Sequence, residues 1–584
     1  MIRSKLKYIP LLASLLALVT LVVDFGYNHE PGTQQLINYF YLVSLLLLVL
    51  GIPLKYLVGF KNTQKPRIWL SDTFFWILFI LLLIGINFNS LSFKHFLEPI
   101  SPKLILLIIF LFNLIREIQG LRLGIKYKRL NPASIFVLSF ALLIILGSLL
   151  LLLPRSTHSG ISFTDALFTS TSAVCVTGLV VVDTGTHFTI LGQSIIMLLI
   201  QLGGIGIMTF TSFFAYFFLG GASYQNMLLL GSLTNEQKIS RVFKTLKKIL
   251  FFTFMVEILG VLLIYINLKL NTTFTHAENL FFSLFHSISA FCNAGFSTLS
   301  NSFYDVNFRF NYPLHLILAF LFIIGGLGFP IMINANSWFK HIIVNRILRL
   351  NKRREVLYKA HVINLNTKLV VYTTLILLAA GTLLFLLLEW NNTLAEHHGL
   401  GKLVTAFFGA STPRTAGFNT IDTAAISTPT VMLVIFLMWI GASPASTGGG
   451  IKTSTFALAA LNVIGLIRGH SKVELNRRQI PETSLKRSFA FIFLSLITIG
   501  LVIFLLSITE PHLEVIDLSF EAFSAFSTVG LSRGITGDLS NTSRYILVFA
   551  MFVGRVGTLT FLSSLVAKKI EKRFQYPTEA ILIN

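Results

Sequence analysis

Charge is scarce in this sequence, and acidic charge scarcest of all. Asp, Glu, Lys and Arg make up 12% of the 584 residues, roughly half the share usual in soluble domains. Such a chain cannot clothe an ordinary water-facing surface. Cysteine is nearly absent: Cys175 and Cys292 are the only two. They exclude a disulfide framework, and no Cys/His cluster has zinc spacing. Each is expected to be a small buried residue. Motifs of soluble chemistry are missing too. No G-x-x-x-x-G-K-[ST] phosphate loop occurs, "EHHG" (Glu396 to Gly399) is not H-E-x-x-H, and "GASPA" (Gly441 to Ala445) lacks G-x-S-x-G spacing. An enzyme is therefore the rival class with nothing to carry it; a rigid scaffold for another subunit is the other.

What remains is apolar. Hydrophobic residues form 54% of the chain, with a mean hydropathy of +0.78. Many runs reach the roughly 20 apolar residues that span a bilayer. The expected fold class is an all-α polytopic membrane protein. The opening "MIRSKLKYIPLLASLLALVTLVV" has a basic start but no small-x-small cleavage site before Asp24. It reads as a first transmembrane helix. Spans are expected at about 9–26, 36–59, 69–90 and 103–123, and then at 133–153, ended by Pro154.

The net charge of +22 is a matter of topology, not of nucleic-acid binding. Arg3, Lys5 and Lys7 precede the first span. Lys55, Lys61, Lys65 and Arg67 surround the second connection, and Arg116, Arg122, Lys126, Lys128 and Arg129 precede the fifth span. Segments 236–248, 340–368, 468–487 and 568–573 are basic as well. The opposite loops carry Glu389 and Glu396, or Glu510, Glu514, Asp517 and Glu521. The alternation places both termini and the basic segments in the cytoplasm.

One stretch breaks the apolar pattern: "FTSTSAVCVTGLVVVD", Phe168 to Asp183. It is too polar for a membrane helix and too apolar for a loop in water. It recurs. Aligned on Gly178, the same pattern returns at Gly295, Gly417 and Gly530, at intervals of 117, 122 and 113 residues. Phe stands ten residues before each glycine (Phe168, Phe285, Phe407, Phe520), and Ser six before (Ser172, Ser289, Ser411, Ser524). A second shared glycine follows in each repeat: Gly203, Gly325, Gly441 and Gly554. Each repeat reads as span, short helix, glycine loop, span. Eight such spans and four N-terminal ones make twelve. The expected division is an N-terminal transmembrane extension (1–130), pore repeats 1 (131–235) and 2 (236–339), and a basic cytoplasmic linker (340–366). Then follow pore repeat 3 (367–467) with an intramembrane gate loop at 441–453, a second linker (468–486), pore repeat 4 (487–570) and a C-terminal tail (571–584).

Non-helical backbone at membrane depth survives only where it is buried in protein or lines a watery cavity. Four pseudo-symmetric loops can converge on one axis and offer carbonyls that replace a monovalent cation's hydration shell. Glycine suits such a loop because it tolerates positive φ. The short helices would end at the cavity, where their C-terminal dipoles favour a cation. Acidic residues near their starts fit the same dipole: Asp165, Glu278, Asp517 and Glu521, with "THAE" (Thr275 to Glu278) as a capping box. The Phe and Ser share one helix face, the first to wedge, the second to bond the loop. Asn293 would line the filter or serve as a helix-packing amide. Pro444 with three glycines is a hinge candidate. Arg555, an arginine at membrane depth, is a functional residue by default. Lys452 is its neighbour or snorkels inward. His286, His315, His397 and His398 have no ligand spacing. Asp24 and Glu257 are the main intramembrane carboxylates, both expected to lie away from the filter. A secondary transporter would more often show inverted repeats, and these are same-handed.

"VCVTGL", "CNAGFST", "PRTAGFNT", "STVGLS", "GASPASTGGGIKT" and "GRVGTLT" resemble, in order, the four pore loops and two signatures of the Trk/Ktr/HKT potassium transporter superfamily. The likeness covers about residues 130–570 and is nearest the bacterial TrkH/KtrB pore subunit. The four N-terminal spans depart from it, since TrkH-like proteins have fewer and KtrB-like ones none. The resemblance implies a potassium filter at Val176, Thr177 and Gly178; Asn293, Ala294 and Gly295; Thr415, Ala416 and Gly417; and Thr528, Val529 and Gly530. Gly178 argues for potassium, because sodium-preferring members often have serine there. The resemblance implies a gate built from Gly441, Pro444, Gly448, Gly449, Gly450, Lys452 and Arg555. It further implies a homodimer, a cytosolic nucleotide-binding RCK regulatory subunit of the TrkA or KtrA type, and residence in the bacterial inner membrane. K+ is the implied cargo, with no covalent cofactor. Uptake would be driven by membrane potential, with Na+- or H+-coupled symport as the alternative.

Overall fold

The computed structural model describes residues 8–57, 72–80, 102–120, 132–218, 239–271, 274–350, 363–470, 472–475 and 478–565. The span expected at 69–90 is helical over 72–80; its remainder lies outside the described residues. So do Lys61, Lys65 and Arg67, Arg122 to Arg129, 351–362 of the first linker, and the tail from 566 onward. The fold is helical. Among the described residues the only strands are Glu474–Leu475 and Arg478–Gln479, one short antiparallel pair.

Three N-terminal helices, Ile9–Gly26, Pro31–Leu57 and Pro102–Gly120, come first. With 72–80 they build a separate apolar cluster around Leu21, Leu45, Phe79 and Phe110. Asp24 is fully buried here, and Tyr41 Oη donates to its carboxylate at 3.0 Å.

Four quarters follow with one element order. The leading helices are Pro132–Leu151, Ile239–Asn271, Leu365–Glu389 and Glu482–Thr509. The short helices are Phe163–Val174, His276–Cys292, Leu400–Ser411 and Val515–Ser527. The trailing elements are Ile190–Phe218, Tyr312–Leu327 with Phe329–Leu350, Thr428–Trp439 with Thr453–Ile467, and Asn541–Val556 with Thr558–Leu565. The leading helices present large apolar side chains outward, such as Phe251, Tyr372 and Phe493. In water that surface would drive aggregation; in a bilayer it faces solvent of its own kind.

Only five described helices are long and apolar enough to cross a membrane, or up to seven if each bent pair counts as one span. The difference from the expected twelve lies largely in the trailing spans. The second bends by 102° at Gly328 and the fourth by 95° at Gly557, while the third is interrupted by the whole loop 440–452. Gly328 and Gly557 adopt φ of +85° and +87°, a conformation that ends a right-handed helix.

The quarters close on themselves. Each short helix packs on its own leading helix and on the trailing helix of the quarter before it. The first short helix packs on the trailing helix of the fourth quarter. That last contact is pinned by Arg544 to Asp165 at 2.5 Å and by Tyr545 Oη against Thr164 Oγ1 at 3.0 Å.

Buried acids and amides clamp leading to trailing helices. Asn311, Ser427 and Ser540 are the N-caps of three trailing helices. Asn311 donates to Asn267 at 2.8 Å; the Ser427 amide and hydroxyl donate to Glu389 at 2.9 and 2.7 Å; the Ser540 amide donates to Glu510 at 2.8 Å. Glu389 and Glu510, read from sequence as loop charges, are therefore buried structural acceptors. Glu521 also differs from expectation. It sits two turns inside its helix, fully buried, and accepts from Ser532 and Thr536. It pins the descending loop of its quarter rather than meeting the helix dipole.

Candidate ion pathway

The loops after the short helices carry a matched backbone signature. Val176, Asn293, Thr415 and Thr528 all have positive φ, between +50° and +75°. Two residues on, Gly178, Gly295, Gly417 and Gly530 have φ of +90°, +71°, +80° and +94°. Two positive-φ residues with one residue between them redirect successive carbonyls, and the second demands glycine for a further reason. A Cβ on Gly178 would stand 2.3 Å from the Ala294 carbonyl oxygen. On Gly295 it would meet Ala416 O at 2.9 Å, on Gly417 Val529 O at 2.3 Å, and on Gly530 Thr177 O at 2.1 Å. Each glycine is seated against the carbonyl that precedes the glycine of the next quarter. The series runs from the first quarter to the fourth and back to the first, so four backbones converge with no room for side chains between them. On one side the four glycines line a cavity of about 480 Å³, which Asp183, Asp422 and Arg533 also line.

The short helices are held to these loops by hydroxyls. Ser172 Oγ donates to Leu179 O at 2.7 Å and accepts from the Gly178 amide at 3.1 Å. Ser289 Oγ donates to Phe296 O at 2.7 Å, and Ser524 Oγ accepts from the Gly530 amide at 3.1 Å. The third quarter slips by one residue. There Thr412 Oγ1 donates to Phe418 O at 2.6 Å, while Ser411 turns back onto Phe407 O and Phe408 O of its own helix. The buried wedge shifts with it: Phe408 is 1% exposed, and Phe407 is only half-buried. The Phe/Ser match at Phe407 and Ser411 thus names the wrong pair in that quarter, because this loop reaches its glycine one residue sooner. At the helix starts, Ser162 caps the Asp165 amide and Thr275 forms the capping box with Glu278, but the third helix begins at Gly399 with no side-chain cap.

The second shared glycine has a packing cause. A Cβ on Gly203, Gly325 or Gly554 would fall within 1.8–2.0 Å of the carbonyl of Val174, Phe291 or Phe526, at the end of a short helix. Each trailing helix must touch that end with bare backbone. Gly441 is the exception: its Cβ would meet Gly449 O at 2.2 Å, inside its own loop.

That loop lies against the opposite side of the four-glycine ring from the cavity. Gly448 approaches Thr415 so closely that a Cβ would stand 2.0 Å from its hydroxyl; Gly449 stands likewise to Thr528, at 2.2 Å. Thr447 Oγ1 donates to Asn293 Oδ1 at 3.1 Å, and Asn293 Nδ2 donates to Thr415 Oγ1 at 3.2 Å. Asn293 therefore bridges two of the glycine loops and the loop 441–453. The loop's carbonyls are held by two cations. Lys452 Nζ donates to Gly448 O at 2.7 Å. Arg555 donates through Nη1 to Thr447 O and through Nη2 to Gly203 O at 2.7 Å. Both side chains turn onto the loop. On its far side Ser443 donates its amide to Gly326 O at 3.0 Å and its hydroxyl to Leu327 O, at the break before Gly328. Pro444 and Gly450 complete the turn, with Ala445 and Gly450 at positive φ. The loop is buried along most of its length.

Three further placements were not legible beforehand. Glu257 is not remote from the second glycine loop: its Oε1 lies 4.0 Å from Cys292 Sγ, next to Asn293, and Gln201 donates to its Oε2 at 3.1 Å. His286 is buried, with Nε2 2.9 Å from Ser297 Oγ, and His315 is buried beside Phe308 O. No group of three His, Cys, Asp or Glu among the described residues could hold a metal.

A closed ring of glycine loops among apolar helices defines the class: a polytopic membrane protein. The chain belongs to the TrkH family, described as cation transport proteins, whose profile matches residues 125–575. It is 37% identical over 457 residues to Ktr system potassium uptake protein B of Bacillus subtilis (78% of this chain, 97% of that one). It is 34% identical over 464 residues to the potassium/sodium uptake protein NtpJ of Enterococcus hirae (78% and 98%). Its fold is that of the crystal structure of the potassium transporter TrkH from Vibrio parahaemolyticus, with a TM-score of 0.59 at 19% identity, covering 86% of this chain and 97% of that one.

Proposed function

We propose that this chain takes potassium into a bacterial cell across the cytoplasmic membrane, through the ring formed by the four glycine loops. The observation that carries the reading is the closed series of glycine-to-carbonyl contacts from Gly178 to Gly530 and back to Thr177. Such a ring can coordinate a dehydrated monovalent cation by backbone oxygen alone. The names of the relatives from Bacillus subtilis and Vibrio alginolyticus specify potassium, and glycine at 178 is in keeping with it. Val176, Thr177, Asn293, Ala294, Thr415, Ala416, Thr528 and Val529 supply the rest of the filter. The loop 441–453 is the gate, and Lys452 and Arg555 hold its carbonyls. The membrane potential supplies about 2.3 kcal/mol per 100 mV for each charge, so roughly 150 mV sustains on the order of 300-fold accumulation. Both termini face the cytoplasm, and the basic linkers offer docking surfaces to a nucleotide-binding regulatory subunit of a homodimeric pore. The four-repeat division at the boundaries given above belongs to the same proposal. The name of the Enterococcus hirae relative includes sodium, which favours one second reading, sodium-coupled or sodium-permeable transport.

The test is ion flux into liposomes holding the purified protein, under a potassium gradient and then a sodium gradient. Potassium-selective flux without a second ion or pH gradient is the expected result. Flux that requires sodium or protons would move the assignment to coupled symport.

A further inference from the structure

Arg414 sits one residue before the filter residue Thr415, and it is more than nine-tenths buried. Its side chain makes no hydrogen bond or ion pair with any described residue, and Nε is fully enclosed without a partner. The other two buried cations of this region, Lys452 and Arg555, both hold gate-loop carbonyls. A charged guanidinium whose Nε is enclosed without a partner destabilises the state in which it is found. It is retained where another state uses it.

The surroundings of Arg414 identify that use. It lines a narrow crevice with Gly326, Leu327, Thr374, Leu378 and Ala442. The crevice holds about 10 Å³, no more than a single water needs. A bound anion or lipid headgroup is too large, so the partner must be a protein group that becomes available on movement. Two such groups are already there. The carbonyls of Gly326 and Leu327 are satisfied by Ser443 of the gate loop. If the loop leaves the pore, Ser443 leaves with it, and both carbonyls lose the donors that satisfy them here.

We infer that Arg414 is a positioning residue for the open gate: its idle N–H groups take over the Gly326 and Leu327 carbonyls when Ser443 withdraws. Arg555 and Lys452 hold the loop in, and Arg414 compensates for its departure. The inference rests on the reading of 441–453 as a gate.

The test is amide hydrogen exchange over 441–453 in the full chain, with potassium flux measured on the same liposomes. Arg414→Gln shifts the equilibrium toward the closed loop. Exchange of the Ser443 and Thr447 amides slows, and flux falls, roughly fivefold to tenfold, the worth of one or two net hydrogen bonds. Arg414→Lys, which keeps a charged donor, restores most of both. Ser443→Ala does the reverse and speeds exchange. A residue that merely packs would loosen the loop when lost, so faster or unchanged exchange in Arg414→Gln overturns the assignment. Deletion of Ser446–Gly450 separates the two readings. If the deletion raises flux while Arg414→Gln leaves exchange at the parent rate, only the role of Arg414 fails. If the deletion leaves flux unchanged, the gate fails and this role with it.

Discussion

Gly178→Ser tests the ring most directly. The new Cβ would stand 2.3 Å from Ala294 O and 3.0 Å from the Gly295 Cα, at a φ of +90°. The backbone conformation alone disfavours a side chain by roughly 1–2 kcal/mol. Overpacking against fixed backbone adds about 1–3 kcal/mol. Neither neighbour can yield cheaply, because the hydroxyl of Ser289 holds the loop that carries both, bonding Phe296 O at 2.7 Å. The first and second quarters must then part by about an ångström to restore ordinary van der Waals contact. A carbonyl ring that wide fits potassium worse and admits partly hydrated sodium. Each 1.4 kcal/mol lost from the difference between the ions is a factor of ten in preference, so a fall in the potassium-to-sodium flux ratio of about tenfold or more is expected. The assay is paired potassium and sodium influx into liposomes at a fixed potential. Gly534→Ser is the control: φ there is +95°, yet a Cβ would meet nothing within 4 Å. It carries the same conformational strain without the ring contact, and its flux ratio should stay at the parent value. Equal ratios in Gly178→Ser and the parent would refute the reasoning, since the contact would then be irrelevant to selection.

Other consequences are equally open to measurement. Thr412→Ala should lower stability by about 1–2 kcal/mol through the lost bond to Phe418 O, whereas Ser411→Ala should change it by under about 0.5 kcal/mol; denaturant melts showing the opposite order would restore the unslipped register. Deleting Ser446–Gly450 should raise basal potassium flux in folded protein, measured before any partner is added. Arg555→Gln releases both Thr447 O and Gly203 O and should raise flux in the same assay, with no change in ion ratio. Burial pushes the Glu510 carboxyl up, but bonds from Ser540 and Ser543 together outweigh it and hold it below the usual carboxylate range. Its contribution to stability is therefore present above the ordinary glutamate value and lost as pH falls through the lower folded one. Glu510→Gln should flatten that acid limb of a thermal melt.

Much was legible in the sequence because membrane helices and left-handed turns are local. Long apolar runs define spans whatever packs around them. A glycine forced by backbone geometry recurs at each repeat because the geometry recurs, so Gly178, Gly295, Gly417 and Gly530 could be aligned by eye. The interruption at 441–453 was visible for the same reason: Pro444 and three glycines cannot continue a helix. The capping box at Thr275 and Glu278 needs only four neighbouring residues. What a residue touches across the ring is another matter. Only the closed tertiary arrangement put the Thr177 carbonyl beside Gly530, far apart in the chain, and set Glu257 beside Cys292 at the second glycine loop. Only packing decided that Thr412, not Ser411, holds the third loop, since a one-residue slip leaves composition and spacing almost unchanged. It also turned Glu389 and Glu510 from presumed loop charges into buried clamps. Arg414 shows the limit plainly: in sequence it is one basic residue in a polar loop, and only its surroundings reveal a charge with no partner among the described residues. Local backbone preferences act within a few residues and are written in order along the chain. Hydrogen-bond partners, burial and cyclic closure depend on segments that meet only when the whole chain has folded.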